Sequence, residues 1–551
     1  MKHRLGLALV VSAGLALTAC SPSTPNPSAN ASANASANLG TISIMVPFLS
    51  AQPPQKGDTV QKALEKLTGK SIDLIWTPNS SYEDKTNITM ASGDLPDVMV
   101  IQGKSPGFIK NATAGAFWEL TNYLGDYPNL VTNSPTIQNN ASVNGKVFGI
   151  YRARDPMRTA VILRKDWLDK LGLKVPKTVD DLYKVAKAFT EQDPDGNGVK
   201  DTYGLIVPKW PGTLNSNSPY DVIATWFGAG NAWAERDGKL VPNFTTEEWF
   251  AANKYIKRFV DEGLINPDYA TMDSATWNNP FFTGKGGIIV DVQSRATVLI
   301  GLFKEQDPKT FQNYVEIAGN LVGPSGTLVA HPTSGYSGFV AIPKSSVKTE
   351  AELRAVLSFL NDLNSPKAAV LLNNGIEGVN FTLDGNLTVP IAPLTADGAA
   401  VALAIKEYAQ LGTNVAGVNY YLPKQPTPYE QDMFDKRMQI QVSDLTHAAF
   451  NPAEPYVSAT QVSKGAQLDN IVSDARIQYL AGQIDEKGLR DAVALWRSSG
   501  GDAVIAEINA LHAAAPSPGP VASPGPVASP GPVASPSPVA SPSPVASPSP
   551  Q

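Results

Sequence analysis

An acidic loop at residues 193–204 has the spacing that most clearly predicts a chemistry. Oxygen-bearing side chains fall at loop positions 1, 3, 5 and 9, namely Asp193, Asp195, Asn197 and Asp201. Gly198 stands at position 6, where an EF-hand-type loop turns sharply, and Val199 at position 7 offers its backbone carbonyl. Hard oxygen ligands at this spacing suit Ca²⁺. The sequence therefore predicts a calcium site.

The loop departs from the EF-hand pattern at its last position. Gly204 stands at position 12 in place of the usual glutamate, so Thr202 or a water would complete the site. The alternative is a solvated turn, which Asp, Asn and Gly also favour. We expect a bound Ca²⁺ with a structural role, fixing the connection between a helix and a strand at 203–207.

A second pattern, G-x-S-x-G at residues 103–107, is typical of a serine nucleophile that follows a strand. Ser105 would need a later histidine, and only His331 and His447 are available before the C-terminal tail. Pro106 removes the backbone N–H that would serve an oxyanion hole. No zinc-protease or phosphate-loop motif occurs, and no spacing singles out a glycosidase pair of carboxylates. We expect a protein that is not an enzyme.

The N-terminus predicts export and lipid attachment. Lys2, His3 and Arg4 precede an apolar stretch at 5–17, too short to span a bilayer but suited to a signal peptide. Leu17-Thr-Ala-Cys20 resembles a bacterial lipobox, so we expect cleavage of residues 1–19 and lipidation of Cys20, the single cysteine. The alternative is an ordinary signal with a free thiol nearby.

Both ends of the mature chain have a composition that cannot form a core. Residues 21–38 lack charge and large apolar side chains, which predicts a flexible tether over 20–39. The tail at 512–551 repeats Pro-Val-Ala-Ser-Pro-Gly/Ser and should be extended. A net charge of −6, without a basic run, excludes a nucleic-acid-binding role.

Between these ends, strands and helices alternate, which predicts an α/β fold. We expect strands at 41–46, 72–76, 97–102, 203–207, 287–292 and 338–342. We expect helices at 60–67, 179–189, 246–260, 347–363 and 489–510, with Thr178 and Thr245 or Thr246 as caps.

Several segments resemble, in order, the family 1 extracellular solute-binding proteins that serve carbohydrate ABC importers. They are ASGDLPD at 91–97, LRKDWLDKLGL at 163–173, the DPDGNG loop at 193–198, DEGLINPD at 261–268, FTGKGG at 282–287 and NGIEG at 374–378. The resemblance is greatest to the branch of alginate-oligosaccharide binders. It covers roughly residues 40–511.

The resemblance implies a type II binding-protein fold, with two α/β lobes that close on a ligand. Lobe 1 would comprise 40–154 and 319–375, and lobe 2 would comprise 155–318 and 376–511. The expected ligand is a sugar or oligosaccharide, and the partner is an ABC permease. We expect a monomer, anchored by lipid to the outer face of the cell membrane or in a periplasm.

Sugars present apolar faces and hydroxyls, so their clefts combine aromatic walls with polar groups. The candidate aromatic residues are Trp277, Trp76, Trp210, Trp226, Trp233 and Tyr336. The candidate polar residues are Arg152, Arg154, Asp97, Gln102 and Ser105. Each tryptophan could instead pack in the core, and the arginines could form an interlobe ion pair. A surface adhesin, suggested by the repetitive tail, is the alternative to a binding protein.

Overall fold

The computed structural model describes residues 39–210, 218–418 and 420–515. Its strands are, in chain order, β1 (Thr41–Phe48), β2 (Ser71–Pro78), β3 (Val98–Ile101), β4 (Ile150–Ala153), β5 (Thr159–Arg164), β6 (Tyr203–Leu205), β7 (Trp233–Arg236), β8 (Lys239–Pro242), β9 (Gly286–Val292), β10 (Val315–Ala318), β11 (Tyr336–Ala341), β12 (Phe381–Asp384), β13 (Leu387–Pro390) and β14 (Leu422–Pro423).

The α-helices of the described residues include short ones and a long C-terminal set. They are α1 (Thr59–Thr68), α2 (Tyr82–Ser92), α3 (Pro106–Thr113), α4 (Pro135–Ala141), α5 (Lys165–Leu171), α6 (Val179–Glu191), α7 (Pro219–Trp226), α8 (Glu247–Asp261), α9 (Asn278–Phe282), α10 (Ser294–Gln306), α11 (Glu350–Leu363), α12 (Pro366–Asn373), α13 (Ala396–Tyr408), α14 (Pro428–Leu445), α15 (Ala459–Leu480), α16 (Glu486–Trp496) and α17 (Asp502–Ala514).

The first lobe is built on a five-stranded sheet in the order β2-β1-β3-β11-β4. β1 runs parallel to β2 and β3, and β11 runs antiparallel to β3 and β4. Every residue of β3 is buried, as expected for a strand covered on both faces. The expected α/β architecture is confirmed in this lobe.

The second lobe has its own sheet, in the order β10-β5-β9-β6. β5 is antiparallel to β9 and β10, whereas β6 is parallel to β9. The helix α6 packs beside β6 and begins with the predicted cap: Thr178 and Asp181 form a capping box. Such a cap stabilises a helix by about 1 kcal/mol.

The predicted lobe boundaries at residue 319 and after residue 375 are wrong. Leu321 packs in the second-lobe core, so the chain leaves that lobe only after residue 331. Val401, Tyr408, Leu411 and Val415 are buried in the apolar core of the first lobe, together with residues of β1 and β3. Segment 376–423 therefore belongs to the first lobe, and the second lobe resumes at α14, whose Met433 packs in the second-lobe core.

Two smaller predictions also need correction. The helix predicted at 489–510 is divided into α16 and α17 by a π-helical turn, where Gly500 has φ of 143°, a value that only glycine adopts without strain. The tail begins later than predicted, because α17 continues to Ala514. The predicted signal peptide, Cys20 and the tether before residue 39 lie outside the described residues, as does the repeat beyond 515.

The chain passes between the lobes three times, at 154–158, 332–335 and 424–427, which together we call the hinge. The first two segments are hydrogen-bonded to each other: the Arg154 N–H donates to the Gly335 carbonyl at 2.9 Å, and the Thr333 N–H donates to the Pro156 carbonyl at 2.8 Å. No helix among the described residues has the length and apolar character needed to cross a membrane.

Candidate ligand site between the lobes

In each of the two large sheets, several strands begin or end next to the hinge. In the first lobe, Tyr336 at the start of β11 pairs with Ala153 at the end of β4, beside the carboxyl end of β3. In the second lobe, Thr159 at the start of β5 pairs with Val292 at the end of β9. Because segment 154–158 joins these strand ends directly, side chains just beyond them lie between the lobes, where open α/β sheets bind ligands.

A polar cavity with a volume of about 410 Å³ lies at this junction. We call it the hinge cavity, and it is lined by Lys104, Asn140, Arg154, Arg158, Asn231, Ala232, His331, Pro332, Thr333, Ser334, Tyr336, Asn451 and Glu454. Both lobes and the hinge contribute to it. Its size falls within the range of ligand pockets in proteins.

A buried lysine holds the first lobe against the segment that follows α14. Lys104 Nζ donates to the Asn140 carbonyl at 2.7 Å, to the Ser142 carbonyl at 3.3 Å and to the Glu454 carbonyl. Burial lowers the pKa of Lys104, and the nearby Glu454 carboxylate opposes this shift. Tyr336 donates its hydroxyl to Glu454 Oε1 at 3.1 Å. These contacts fix one wall of the hinge cavity.

Of the two predicted arginines, the structure places Arg154 in the hinge cavity and Arg152 outside its lining. Arg152 donates to the Ser337 carbonyl at 3.1 Å and to Gln410 Oε1 at 2.6 Å, all within the first lobe. Burial lowers the pKa of Arg152 to about 10. Arg152 thus holds β4 to its neighbours, and contact with a ligand stays a prediction for this residue.

A second cavity, of about 170 Å³, lies at the carboxyl end of β3 and contains the predicted residues Gln102 and Ser105. Gln102 donates to Asn79 Oδ1 at 2.7 Å. The Ser105 hydroxyl accepts from the Phe108 N–H at 3.3 Å and caps α3. This capping role explains the serine of the G-x-S-x-G pattern without requiring that it act as a nucleophile.

Two predicted tryptophans are buried in the second lobe. Trp226 is 0% exposed and Trp277 is 1% exposed. The Trp277 indole donates to the Ile206 carbonyl at 3.0 Å, and the Arg295 guanidinium lies 4.1 Å from its ring centre. The prediction that these rings face a cleft is wrong, because each ring is enclosed by its own lobe.

The other predicted tryptophans are half-buried and pack within one lobe. Trp76 meets Tyr408 edge-on, with ring centres 5.5 Å apart, and Trp233 packs against the second-lobe core. Trp210 borders a separate second-lobe cavity of about 310 Å³. None of the described tryptophans lines the hinge cavity. Among the predicted aromatic residues, Tyr336 is the one that does.

Asp97 lies at the end of the first-lobe sheet that is far from the hinge, so it is not placed to contact a ligand between the lobes. It precedes β3, and its Oδ2 accepts from the Ser43 N–H at 2.9 Å and from the Ser43 hydroxyl at 2.8 Å. Ser43 lies near the start of β1, so this pair is at the amino ends of the strands, away from the hinge. The prediction for Asp97 is therefore replaced by a structural role.

The acidic loop lies on the surface between α6 and β6, where the sequence predicted it. Asp193 Oδ1 accepts from the N–H groups of Gly196 and Asn197, at 3.0 and 3.1 Å. The Asn197 amide donates to Asp195 Oδ2 at 2.7 Å and to Asp201 Oδ1 at 3.2 Å. The four predicted side chains are thus gathered at one place, with Val199 donating its N–H to Asn197 Oδ1 at 2.7 Å.

The donor set of this loop is all oxygen, which fits Ca²⁺ rather than a softer metal. Lys285 forms a salt bridge with Asp201 and thereby lowers the pKa of that carboxyl. Within the described ranges, no three acidic, histidine or cysteine side chains converge closely enough to form a ready metal cluster.

Several residues of the hinge cavity were missed by the sequence analysis. They are Lys104, Asn140, Arg158, Asn231, Asn451 and Glu454. They come from distant parts of the chain, and nothing in the local sequence marks Asn140, Asn231, Asn451 or Glu454. Lys104 and Arg158 are the exceptions: Lys104 lies between the predicted residues Gln102 and Ser105, and Arg158 lies four residues after Arg154 on a segment already expected to cross between the lobes.

Residues 50–370 match the family described as bacterial extracellular solute-binding protein. The chain is 47% identical over 501 residues to lipoprotein LipO of Bacillus subtilis, covering 91% of this chain and 96% of the relative. It is 33% identical to the polygalacturonan/rhamnogalacturonan-binding protein YtcQ of the same organism, with the same coverage of 91% and 96%.

Solved structures show the same fold at low identity. A solute-binding protein from Bifidobacterium longum infantis superimposes with a TM-score of 0.67 at 19% identity, over 86% of this chain and 98% of that one. The substrate-binding protein FusA of Streptococcus pneumoniae gives 0.60 at 21% identity, over 86% and 99%. These neighbours confirm the expected two-lobe fold. Together with the sequence match, they show that the chain belongs to the family of bacterial extracellular solute-binding proteins.

Proposed function

We propose that this protein captures an oligosaccharide between its lobes and delivers it to the permease of an ABC importer. The hinge cavity is the observation that carries the proposal, because side chains of both lobes meet around one polar space. A ligand that contacts both lobes favours their closed arrangement by its additional affinity for it. The permease would then distinguish loaded from empty protein by shape.

The cavity lining suits a ligand rich in hydroxyls. Asn140 and Asn231 each donate one amide N–H to a hinge carbonyl, of Ser334 at 3.0 Å and of Pro332 at 2.9 Å. The hinge thereby holds both amides in fixed orientations, which lowers the cost of ordering them when a ligand binds.

The names of two relatives support a sugar as the ligand of this protein. YtcQ is named as a polygalacturonan/rhamnogalacturonan-binding protein, and FusA, 25% identical over 446 residues, as a fructooligosaccharide substrate-binding protein. One of these ligands is acidic and the other neutral, so the relatives support the sugar class but not its charge. The family consists of binding proteins, and we propose that this chain binds without chemical change.

Lipid attachment at Cys20 is part of the same proposal. A relative named as a lipoprotein covers nearly the whole chain, which supports an anchor that keeps the lobes beside the permease. Cys20→Ala should release the protein from membranes into the soluble fraction of cells, with ligand binding unchanged. Retention of the variant in washed membranes would contradict the proposed anchor.

Ligand capture can be tested by calorimetric titration of the protein with a panel of acidic and neutral oligosaccharides. We expect at least one to bind, and Asn231→Ala to weaken it by about tenfold, since a lost hydrogen bond between protein and ligand costs about 1 kcal/mol or more. Asn470→Ala, on the exposed face of α15, is the matched control and should bind normally. Equal affinity of the two variants would place the ligand elsewhere.

We further propose that Ca²⁺ binds the acidic loop through Asp193, Asp195, Asn197, Asp201 and the Val199 carbonyl. Its role is structural: it neutralises three carboxylates at the connection between α6 and β6. At a calcium concentration one hundred times Kd, the ion adds about 2.7 kcal/mol to stability.

Thermal unfolding with calcium and with a chelator tests this proposal. We expect Tm to fall on chelation in the wild type and in Asp432→Asn, an exposed control on α14. Asp195→Asn should abolish the calcium response. An identical Tm for the wild type in both conditions would exclude the site.

A further inference from the structure

Three arginines gather near the hinge cavity, and among the described residues none of them forms an ion pair with a carboxylate. Arg154 and Arg158 lie on the first hinge segment and line the cavity, and Arg437 lies on α14 of the second lobe. We call them the arginine cluster. In the part of the chain that the structure describes, none of the three forms a salt bridge. Arg437 donates only to a hydroxyl, that of Thr297, at 2.8 Å.

The positive charges of the other two arginines act on Arg158. Burial lowers the pKa of Arg158, and the positive charges of Arg154 and Arg437 lower it further. Asp155 and Asp291 oppose this shift, but Asp291 already forms a salt bridge with Arg295. The Glu454 carboxylate also lines the cavity, but it lies 3.9 Å from Lys104 Nζ and accepts from the Tyr336 hydroxyl. Asp155 is then a nearby carboxylate without a salt bridge among the described residues, against three guanidinium groups. The cluster therefore carries an excess of positive charge when the site holds no ligand.

The buried polar atoms without a protein partner around the cluster are hydrogen-bond donors. Arg437 Nε is buried and unpaired among the described residues, and so is Gln293 Nε2. Gln293 adjoins the cluster directly, because its backbone N–H donates to the Arg158 carbonyl at 2.6 Å. A buried donor left unpaired costs about 1–3 kcal/mol, so a ligand with acceptor oxygens would gain by pairing with these two donors beside the cavity.

We propose that the ligand of this site is an oligosaccharide bearing carboxylate groups, and that Arg158 and Arg437 bind a carboxylate between the lobes. This inference rests on the proposed function and specifies its substrate class. A guanidinium presents paired N–H groups that match the two oxygens of a carboxylate. A neutral sugar would leave the excess charge unbalanced, and lobe closure would remove water from it at further cost.

The location of the arginine cluster allows a bound carboxylate to favour closure of the lobes. Arg158 is on the hinge and Arg437 is on the second lobe, so a carboxylate bound by both connects the moving lobe to its axis. The repulsion between the two guanidiniums is relieved when the anion arrives. Closure is then favoured by the acidic group in particular, which separates acidic ligands from neutral ligands of similar shape.

The test is a titration of the full-length protein with three ligands. They are oligogalacturonides, the methyl esters of the same oligosaccharides, and an oligosaccharide of uncharged sugars that carries sulfate groups. We expect the free acid to bind at least about tenfold more tightly than the ester, because charge-assisted bonds contribute about 1.5–3 kcal/mol. Arg158→Gln and Arg437→Gln should each lower the affinity for the free acid by about tenfold or more, and each should change the affinity for the ester little. Arg437→Lys keeps the charge and should recover part of the affinity.

Arg497→Gln removes an arginine of an exposed pair that does not line the hinge cavity; it is the control and should bind the acid normally. Circular dichroism and Tm would verify that each variant is folded. Equal binding of acid and ester, tighter binding of the sulfated sugar, or unchanged affinity in both glutamine variants would overturn the carboxylate assignment. In those cases oligosaccharide capture would stand, whereas failure of every acidic and neutral oligosaccharide to bind would overturn both proposals.

Discussion

The second-lobe core and the hinge use arginine in opposite ways. In the core, Arg476 and Asp221 are each 6% exposed at the side chain and lie 2.9 Å apart. Arg164 likewise pairs with Asp166, through two hydrogen bonds of 2.7 and 2.5 Å. At the hinge, the arginine cluster has no such partner. In these two core pairs a carboxylate holds the guanidinium in place, whereas at the hinge no carboxylate of the described residues forms a salt bridge with the cluster.

The largest effect should come from breaking a core pair. Arg476→Gln removes the cation that faces Asp221 and should destabilise the protein by about 3–5 kcal/mol, the usual cost of losing one partner of a buried pair. Urea unfolding would measure the change. The control, Arg497→Gln, removes an exposed partner of Asp502 and should cost no more than about 1 kcal/mol. Similar losses in the two variants would remove the contrast between core and surface arginines.

The hinge should also respond to pH through His331. Burial lowers the pKa of His331 from 6.5 to about 4, and Asp221 opposes the shift. Because the unfolded chain then takes up a proton that the native state does not, stability falls as pH drops from 6.5 toward 4. The expected loss is on the order of 3 kcal/mol.

Urea unfolding at pH 7 and pH 4.5 would measure this loss. Carboxylates contribute to the same trend, so the informative quantity is the difference between the wild type and His331→Gln. The variant should lose less stability over this interval. If both proteins lose the same amount, His331 titrates normally and the hinge does not hold it neutral.

The smallest change in stability should come from a substitution in the arginine cluster itself. Arg158→Gln removes a cation from beside two others, so the ligand-free protein should keep its stability within about 0.5 kcal/mol or gain slightly. Tm in the absence of ligand is the measurement. A loss above about 1 kcal/mol would mean that Arg158 serves the fold, as Arg476 does, and would weaken its assignment to a ligand.

The sequence predicted the elements of the fold better than the members of the site. Buried strands such as β3 and β9 and capped helices such as α6 depend on local patterns, so their positions were recovered within a few residues. The wrong lobe boundary after 375 reflects packing: the chain returns to the first core through Val401 and Tyr408, which no local pattern reveals.

Site prediction failed where it relied on residue type. Tryptophan suits both a sugar-binding wall and a core, and Trp226 and Trp277 follow the second preference. Gln102, Ser105 and Arg154 were predicted from their place after strands, and each lines a cavity. Glu454 could not have been found, because it reaches the hinge cavity only after α14 has folded against the second lobe.

The three passages of the chain through the hinge also limit how the molecule can move. Two bodies joined by one linker can swing, twist and slide independently. With three attachments, two of them hydrogen-bonded to each other, the lobes are restricted to rotation about one line. Such a protein offers its transporter few intermediate geometries, so the open and closed forms can be recognised by rigid docking surfaces, one on each lobe.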